Sequence, residues 1–118
     1  MRLELVQSRG TELRVQTTQS AFERMRGLLG SAPLKAGDVM VIEPCNMVHT
    51  IGMAYAIDVM FIDRSGRVLQ VHAAVPPWRF RACWQARYTV ELTSGEAARR
   101  GWTRGTRLSF LFSETNAP

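Results

Sequence analysis

Several kinds of segment are missing from this chain of 118 residues, and each absence removes a class of function. No window approaches the ~20 apolar residues that a membrane-spanning helix needs. Met1 leads directly into Arg2, Leu3, Glu4, Leu5 and Val6, with no apolar stretch of signal-peptide length. As written, the chain is expected in the cytoplasm, and outside it if a leader has been removed. No glycine-rich phosphate loop, nucleophile elbow or closely paired set of cysteines occurs, so no motif calls for a nucleotide, an esterase centre or a zinc ribbon. Lysine is almost absent: Lys35 stands alone, and the net charge of +5 comes from arginine. The arginines are spread over the whole length, which suits a solvated basic surface better than a nucleic-acid stripe and disfavours nucleic acid as a partner. Cysteine is scarce too. Cys45 and Cys83 fit either two reduced thiols or one disulfide.

What remains is the profile of an ordinary globule, 46% apolar and 21% charged, long enough to build a core without staples. One domain over 1–112 and a flexible tail over 113–118 are expected. The chain is organised around residues 45–63, which gather a cysteine, a histidine, a glycine and two aspartates beside its longest apolar run. From 55 to 63 the residues alternate, with Tyr55, Ile57, Val59 and Phe61 on one face and Ala56, Asp58, Met60 and Ile62 on the other. That is the period of a strand covered on both sides. Arg64, Ser65 and Gly66 form a turn closed by a left-handed glycine, and a second alternating run follows. The resulting hairpin pairs Ile62 with Val68 and Met60 with Gln70. It sets Asp58 opposite His72, with Cβ atoms about 4.5 to 5.5 Å apart, either as a structural pair or as part of a proton-transfer or metal group.

Ahead of this hairpin, 2–7 and 12–16 read as a first hairpin, a helix is expected from Thr17 or Thr18 through Leu29, and 39–43 is a buried strand stopped by Pro44. Residues 45–53 read as an irregular loop. After Pro76 and Pro77, the segment 78–87 alternates Trp78, Phe80 and Trp84 with Arg79 and Arg81. Such a segment can grip an anionic ligand or a protein by stacking and charge, or it can be an edge strand that packs its tryptophans inward. A strand over 88–93, a short helix over 95–100 capped by Ser94, and a last strand over 106–112 complete the chain. Six to eight short strands, one longer and one short helix, and no βαβ rhythm predict a mainly β (α+β) fold, an antiparallel sandwich or partly closed barrel.

Residues 22–28 (Phe22, Glu23, Arg24, Met25, Arg26, Gly27, Leu28), then 57–63 with Gly66 and Val68, then Val90, Glu91 and Leu92 with Gly95, Ala97, Gly101 and Gly105 resemble, in order, the family called domain of unknown function 192. The resemblance covers roughly residues 10–112. It implies a compact prokaryotic β-rich fold related to jelly-roll sandwiches, and it implies no established activity. Where many members carry a run of tryptophan, methionine, lysine, asparagine and threonine, this chain has His49, Thr50, Ile51, Gly52 and Met53. It looks like a subgroup marked by Cys45, His49, Thr50 and Met53.

Two functions follow. The first is a non-catalytic binding or accessory module that uses the loop 45–53 and the segment 78–87, with Thr50, Trp78, Arg79 and Arg81 against a protein or a small anionic ligand and with no cofactor. The second is a cysteine hydrolase in which His49 activates Cys45 and Asp58 or His72 orients it, or a zinc site on Cys45, His49, His72 and Cys83.

Overall fold

The computed structural model describes the backbone of residues 2–8 and 11–18, residue 34, and residues 37–109 in full. Among these are eight strands: β1 (Arg2–Ser8), β2 (Thr11–Thr18), β3 (Asp38–Ile42), β4 (Met47–His49), β5 (Ile57–Ile62), β6 (Val68–Val75), β7 (Phe80–Ala82) and β8 (Tyr88–Thr93), with one helix, α1 (Glu96–Arg99). Six strands form one sheet in the order β1-β2-β3-β8-β5-β6, and β4 and β7 form a second. The fold is mainly β, as the alternating segments predict. The antiparallel expectation holds for every pair except β2 and β3, which run parallel from Arg14 opposite Asp38 to Thr18 opposite Ile42. The longer helix expected through Leu29 lies outside the described residues.

Strand alternation divides the core in two. On one face of the large sheet Val39, Val41, Met60, Ile62, Tyr88, Val90 and Leu92 pack with Ala97, Trp102 and Leu108, so α1 and the chain that follows cover this side. On the other face Met40, Ile42, Ile57, Val59 and Phe61 pack with Val48, Met53 and Cys83, which brings the small sheet over the large one. β5 and β8 are central and buried on both faces; β5 runs almost uninterrupted in apolar residues, whereas β8 alternates Tyr88, Val90 and Leu92 with Thr89, Glu91 and Thr93.

The β5–β6 hairpin forms as expected at its turn. Gly66 has φ +91°, its N–H reaches the Asp63 carbonyl, and Ile62 faces Val68. The Asp63 side chain accepts hydrogen bonds from the Ser65 hydroxyl and from the N–H groups of Ser65 and Arg67, and these hold its carboxyl below the usual range. Beyond Ile62 the register departs from expectation. It shifts between Phe61 and Ile62, so Phe61 faces Gln70, Met60 faces Val71 and Val59 faces His72, and it shifts again before Ile57 meets Val75. Bulges of this kind re-aim every later side chain.

Two further elements differ from the sequence reading. Part of the loop 45–53 is strand β4, paired with β7 from Met47 opposite Ala82 to His49 opposite Phe80. Of the last strand, 106–109 make only an isolated bridge, Arg107 to Arg67, and the rest lies outside the described residues. No helix of the described residues is long and apolar enough to cross a membrane.

Candidate functional site

The carboxylate that stood out in the sequence is a structural group. Asp58 is fully buried, on the face of Met60 and Ile62, whereas His72 faces Val59 on the opposite side of the sheet. The expected Asp58–His72 pair therefore does not form: the register shift between Phe61 and Ile62 moves His72 opposite Val59. Asp58 instead accepts hydrogen bonds from the N–H groups of Ala74 (2.9 Å), Gly95 (3.1 Å) and Ala97 (3.0 Å). Two of those donors sit at the start of α1, where unpaired N–H groups attract an anion. This is the cap that Ser94 was expected to supply. Gly95, at φ +88°, is the N-cap residue and no side chain of its own neighbourhood caps the helix. In the first turn of α1, burial would push the Glu96 carboxyl up, but hydrogen bonds from Arg99 and Arg100 outweigh it and hold it below the usual range.

His72 lies in the edge strand β6, its Nε2 2.9 Å from Gln70 Oε1 and its ring edge-on to Phe61 at 5.7 Å. Burial lowers its pKa, and the positive charge of Arg81 lowers it further. Arg81 stands opposite Val48, so it projects from β7 towards the large sheet rather than away from it.

Cys45 and Cys83 are both free thiols. The Cys45 thiol donates to the Met47 carbonyl at 3.2 Å and packs against the Met40–Phe61 cluster, while Cys83 is buried in that cluster. His49 is on the opposite, outward face of the small sheet, stacked obliquely on Phe80 at 5.8 Å, with Nδ1 accepting the Ile51 N–H at 3.3 Å. Among the described residues no three histidine, cysteine or carboxylate groups come together in a way that could hold a metal.

The strongest surface feature is the outward face of the β4–β7 sheet. Strand alternation sends Val48 inward and Met47, His49, Phe80 and Ala82 outward, and Trp78 and Trp84 flank β7 at either end. Met47 is 50% exposed, Phe80 61%, Trp78 64% and Trp84 71%. The tryptophans do not pack inward.

Thr50 holds this face in place. It is buried, and its hydroxyl donates to the Pro76 carbonyl at 2.7 Å and accepts the Arg79 N–H at 2.9 Å. Its own N–H reaches the Arg79 carbonyl, and its carbonyl accepts the Trp78 N–H at 3.0 Å. Between those contacts Trp78 adopts φ +65°, a left-handed conformation that disfavours a bulky residue and needs its surroundings to enforce it. Thr50 is thus a positioning residue. Arg79 is exposed, its guanidinium within reach of the Pro77 and Trp78 carbonyls. Met47 is the surface residue that sequence reading passed over, because its alternation with Val48 and His49 only has meaning once this loop is recognised as a strand.

Two solved structures share the fold. One is a candidate transcription regulator from Sinorhizobium meliloti 1021, with TM-score 0.71 and 20% identity over 89% of this chain and 88% of that one. The other is a protein of unknown function from Novosphingobium aromaticivorans DSM 12444, with TM-score 0.70 and 18% identity over 87% and 80%. No curated protein matches. The profile of DUF192, described as an uncharacterised conserved region, matches residues 4–110, slightly more than the resemblance in the sequence suggested, and the chain belongs to that family.

Proposed function

We propose that the protein is a non-catalytic binding or accessory module whose contact surface is the outward face of the β4–β7 sheet. One observation carries the reading: four large apolar side chains, Met47 and Phe80 on the small sheet and Trp78 and Trp84 on either side of β7, are at least half exposed. Single exposed apolar residues are ordinary, but four large ones within one strand pair and its flanks favour an interaction site. The left-handed backbone at Trp78, clamped by Thr50, supports it from a second direction, because strain of this kind collects at binding sites.

The alternative, a hydrolase or zinc site on Cys45, His49, Asp58, His72 and Cys83, has less support. Asp58 is occupied by three backbone donors, and the Cys45 thiol and His49 Nδ1 each have a partner within two residues. Oxidative footprinting of the chain, alone and in a lysate of its source cells, tests the binding reading. Met47, Trp78, Phe80 and Trp84 should become protected in the lysate. Protection confined to other surfaces would sink it.

A further inference from the structure

We infer that the hollow beside the outer edge of β6 binds a small organic anion, whose carboxylate or phosphate head meets Arg104 and His72 while its apolar body lies on Leu69 and Val71. The site is separate from the aromatic face, and either can stand without the other. β6 is the last strand of the large sheet, and among the described residues its outer edge is covered only at the beginning, where Val68 donates to the Thr106 carbonyl and accepts from the Gly105 N–H, both at 2.8 Å. From Leu69 onward the edge opens into a hollow of about 400 Å³ lined by Leu69, Gln70, Val71, His72 and Arg104. Leu69 packs on the core that holds Met40 and Phe61, and Val71 on the core that holds Val39 and Trp102, so the hollow wraps around the edge. Two apolar walls with a few polar side chains around them, in a volume within the usual ~300 to 1,000 Å³, are how a small-molecule site is built. The turn that carries Arg104 is itself fixed: the Thr106 N–H donates to the Thr103 carbonyl at 3.0 Å, and the Thr103 N–H to the Thr106 hydroxyl at 3.1 Å.

Charge selects the ligand. Arg87, Arg99 and Arg100 are paired with Glu43 or Glu96, but Arg104 has no carboxylate beside it among the described residues. Residues 64–90 and 97–113, from which the walls come, contain no aspartate or glutamate. Asp63, the carboxylate just before them, is taken up by Ser65 and Arg67. A guanidinium fork matches the paired oxygens of a carboxylate or phosphate. Around the His72 ring the charged groups are Arg104 and, from β7, Arg81; Phe61 of β5 meets the ring edge-on, and Gln70 Oε1 lies 2.9 Å from Nε2. Burial, and then the charge of Arg81, hold the imidazole below its usual pKa. An anion in the hollow offsets both, because a negative neighbour favours the protonated ring. His72 then adds a second positive charge beside Arg104. The same groups repel a cation, and a neutral ligand leaves them unused.

The test is titration of the intact, ¹⁵N-labelled chain with hexanoate, hexyl phosphate, hexanol and hexylamine. The amide resonances of residues 69–72 and the Arg104 side-chain resonance should shift and saturate with the anions. Hexanol and hexylamine should bind about tenfold more weakly or worse, the worth of one charge-assisted hydrogen bond. The stronger anion names the head group. Arg104→Ala should cost about the same factor and leave the rest of the amide spectrum in place, whereas Arg64→Ala, in the turn between β5 and β6, should change nothing. Bound anion should raise the His72 pKa, so affinity should grow as the pH falls towards the depressed value of the free chain. His72→Gln should abolish that growth. Hexanol or hexylamine bound as tightly as the anions would overturn the anionic ligand. Saturable shifts centred on Trp78, Phe80 and Trp84 would overturn the site and leave the aromatic face standing, and no saturable shift with any of the four probes would overturn the site as well. An anion affinity that ignores pH would remove His72 from it.

Discussion

The β5–β8 pair and the β4–β7 pair break the usual partition of residues in opposite senses. At the centre of the large sheet two carboxylates, Asp58 and Glu91, are buried in apolar strands, while on the small sheet and its flanks three aromatic side chains stand in water. The anomaly at Asp58 is explained within the molecule. Its carboxylate is matched by three backbone N–H groups, so burial costs little and fixes α1 and the end of β6 against β5. Among the described residues nothing comparable covers Trp78, Phe80 and Trp84. A misplaced polar residue that is satisfied internally reads as architecture, and misplaced apolar residues that are not covered read as contact with something outside the chain.

That difference is sharpest under substitution. Asp58→Ala leaves three buried N–H groups without their acceptor and removes hydrogen bonds to a charged group, and it should lower unfolding free energy by about 3 to 5 kcal/mol in urea titrations. Asp58→Asn keeps one acceptor oxygen and should lose less. A loss below about 1 kcal/mol for Asp58→Ala would show that the cap is dispensable and would weaken the contrast.

Thr50 joins the two regions, and its removal should have an intermediate effect. Thr50→Val keeps the shape but strips the hydroxyl from the Pro76 carbonyl and the Arg79 N–H, for an expected loss of about 1 to 3 kcal/mol. Binding through the aromatic face should weaken as well, because the clamp on Trp78 loosens. Unchanged binding together with lost stability would confine Thr50 to architecture.

On the aromatic face itself stability should hardly move. Phe80→Ala and Trp84→Ala are each expected within about 0.5 kcal/mol of the parent chain. Trp78→Gly is the more telling variant. Glycine relieves the left-handed backbone at this position, which costs an ordinary residue roughly 1 to 2 kcal/mol, and the gain offsets the added flexibility of the unfolded chain. The variant should fold as well as the parent and bind less. If it or Trp84→Ala unfolds the protein as readily as Asp58→Ala does, these side chains are core and the contrast collapses.

Much of the large sheet was legible because alternation and turn glycines are local signals. The strand over 57–62, the turn at Gly66 and the strand over 88–93 all follow from residues within a few positions of one another. What was not legible is long-range or is a backbone irregularity. The partners of Asp58 at Gly95 and Ala97 lie 37 and 39 residues away, and no period in the sequence connects them. The bulges in the β5–β6 ladder cannot be seen in a pattern that assumes an unbroken ladder, so His72 was set opposite the wrong residue. Strand β4 was hidden by its length of three residues among proline, asparagine and glycine. For the segment 78–87, alternation correctly separated aromatics from arginines, but a period of two carries no sign. Which face looks outward is decided by where Val48 and Cys83 find a core, and that core is built from β3 and β5.

The smallest effect tests how the two sheets lie against each other. The folded chain holds the His72 pKa below its usual 6.5, first through burial and then through the charge of Arg81. Above that pH the imidazole is neutral in the folded and unfolded chain alike and contributes nothing to pH dependence. As the pH falls through about 6.5 the unfolded chain takes up a proton first, so the native state loses stability over the window between the usual value and the depressed one. Arg81→Ala removes the lesser of the two causes. The His72 pKa, followed through its imidazole resonances and assigned with His72→Gln, should rise but stay below 6.5, because burial remains. Acid destabilisation should soften in the same variant. An unchanged titration would mean that the charge of Arg81 does not reach β6, and the side of β7 that carries its arginines would have to be turned away from the large sheet.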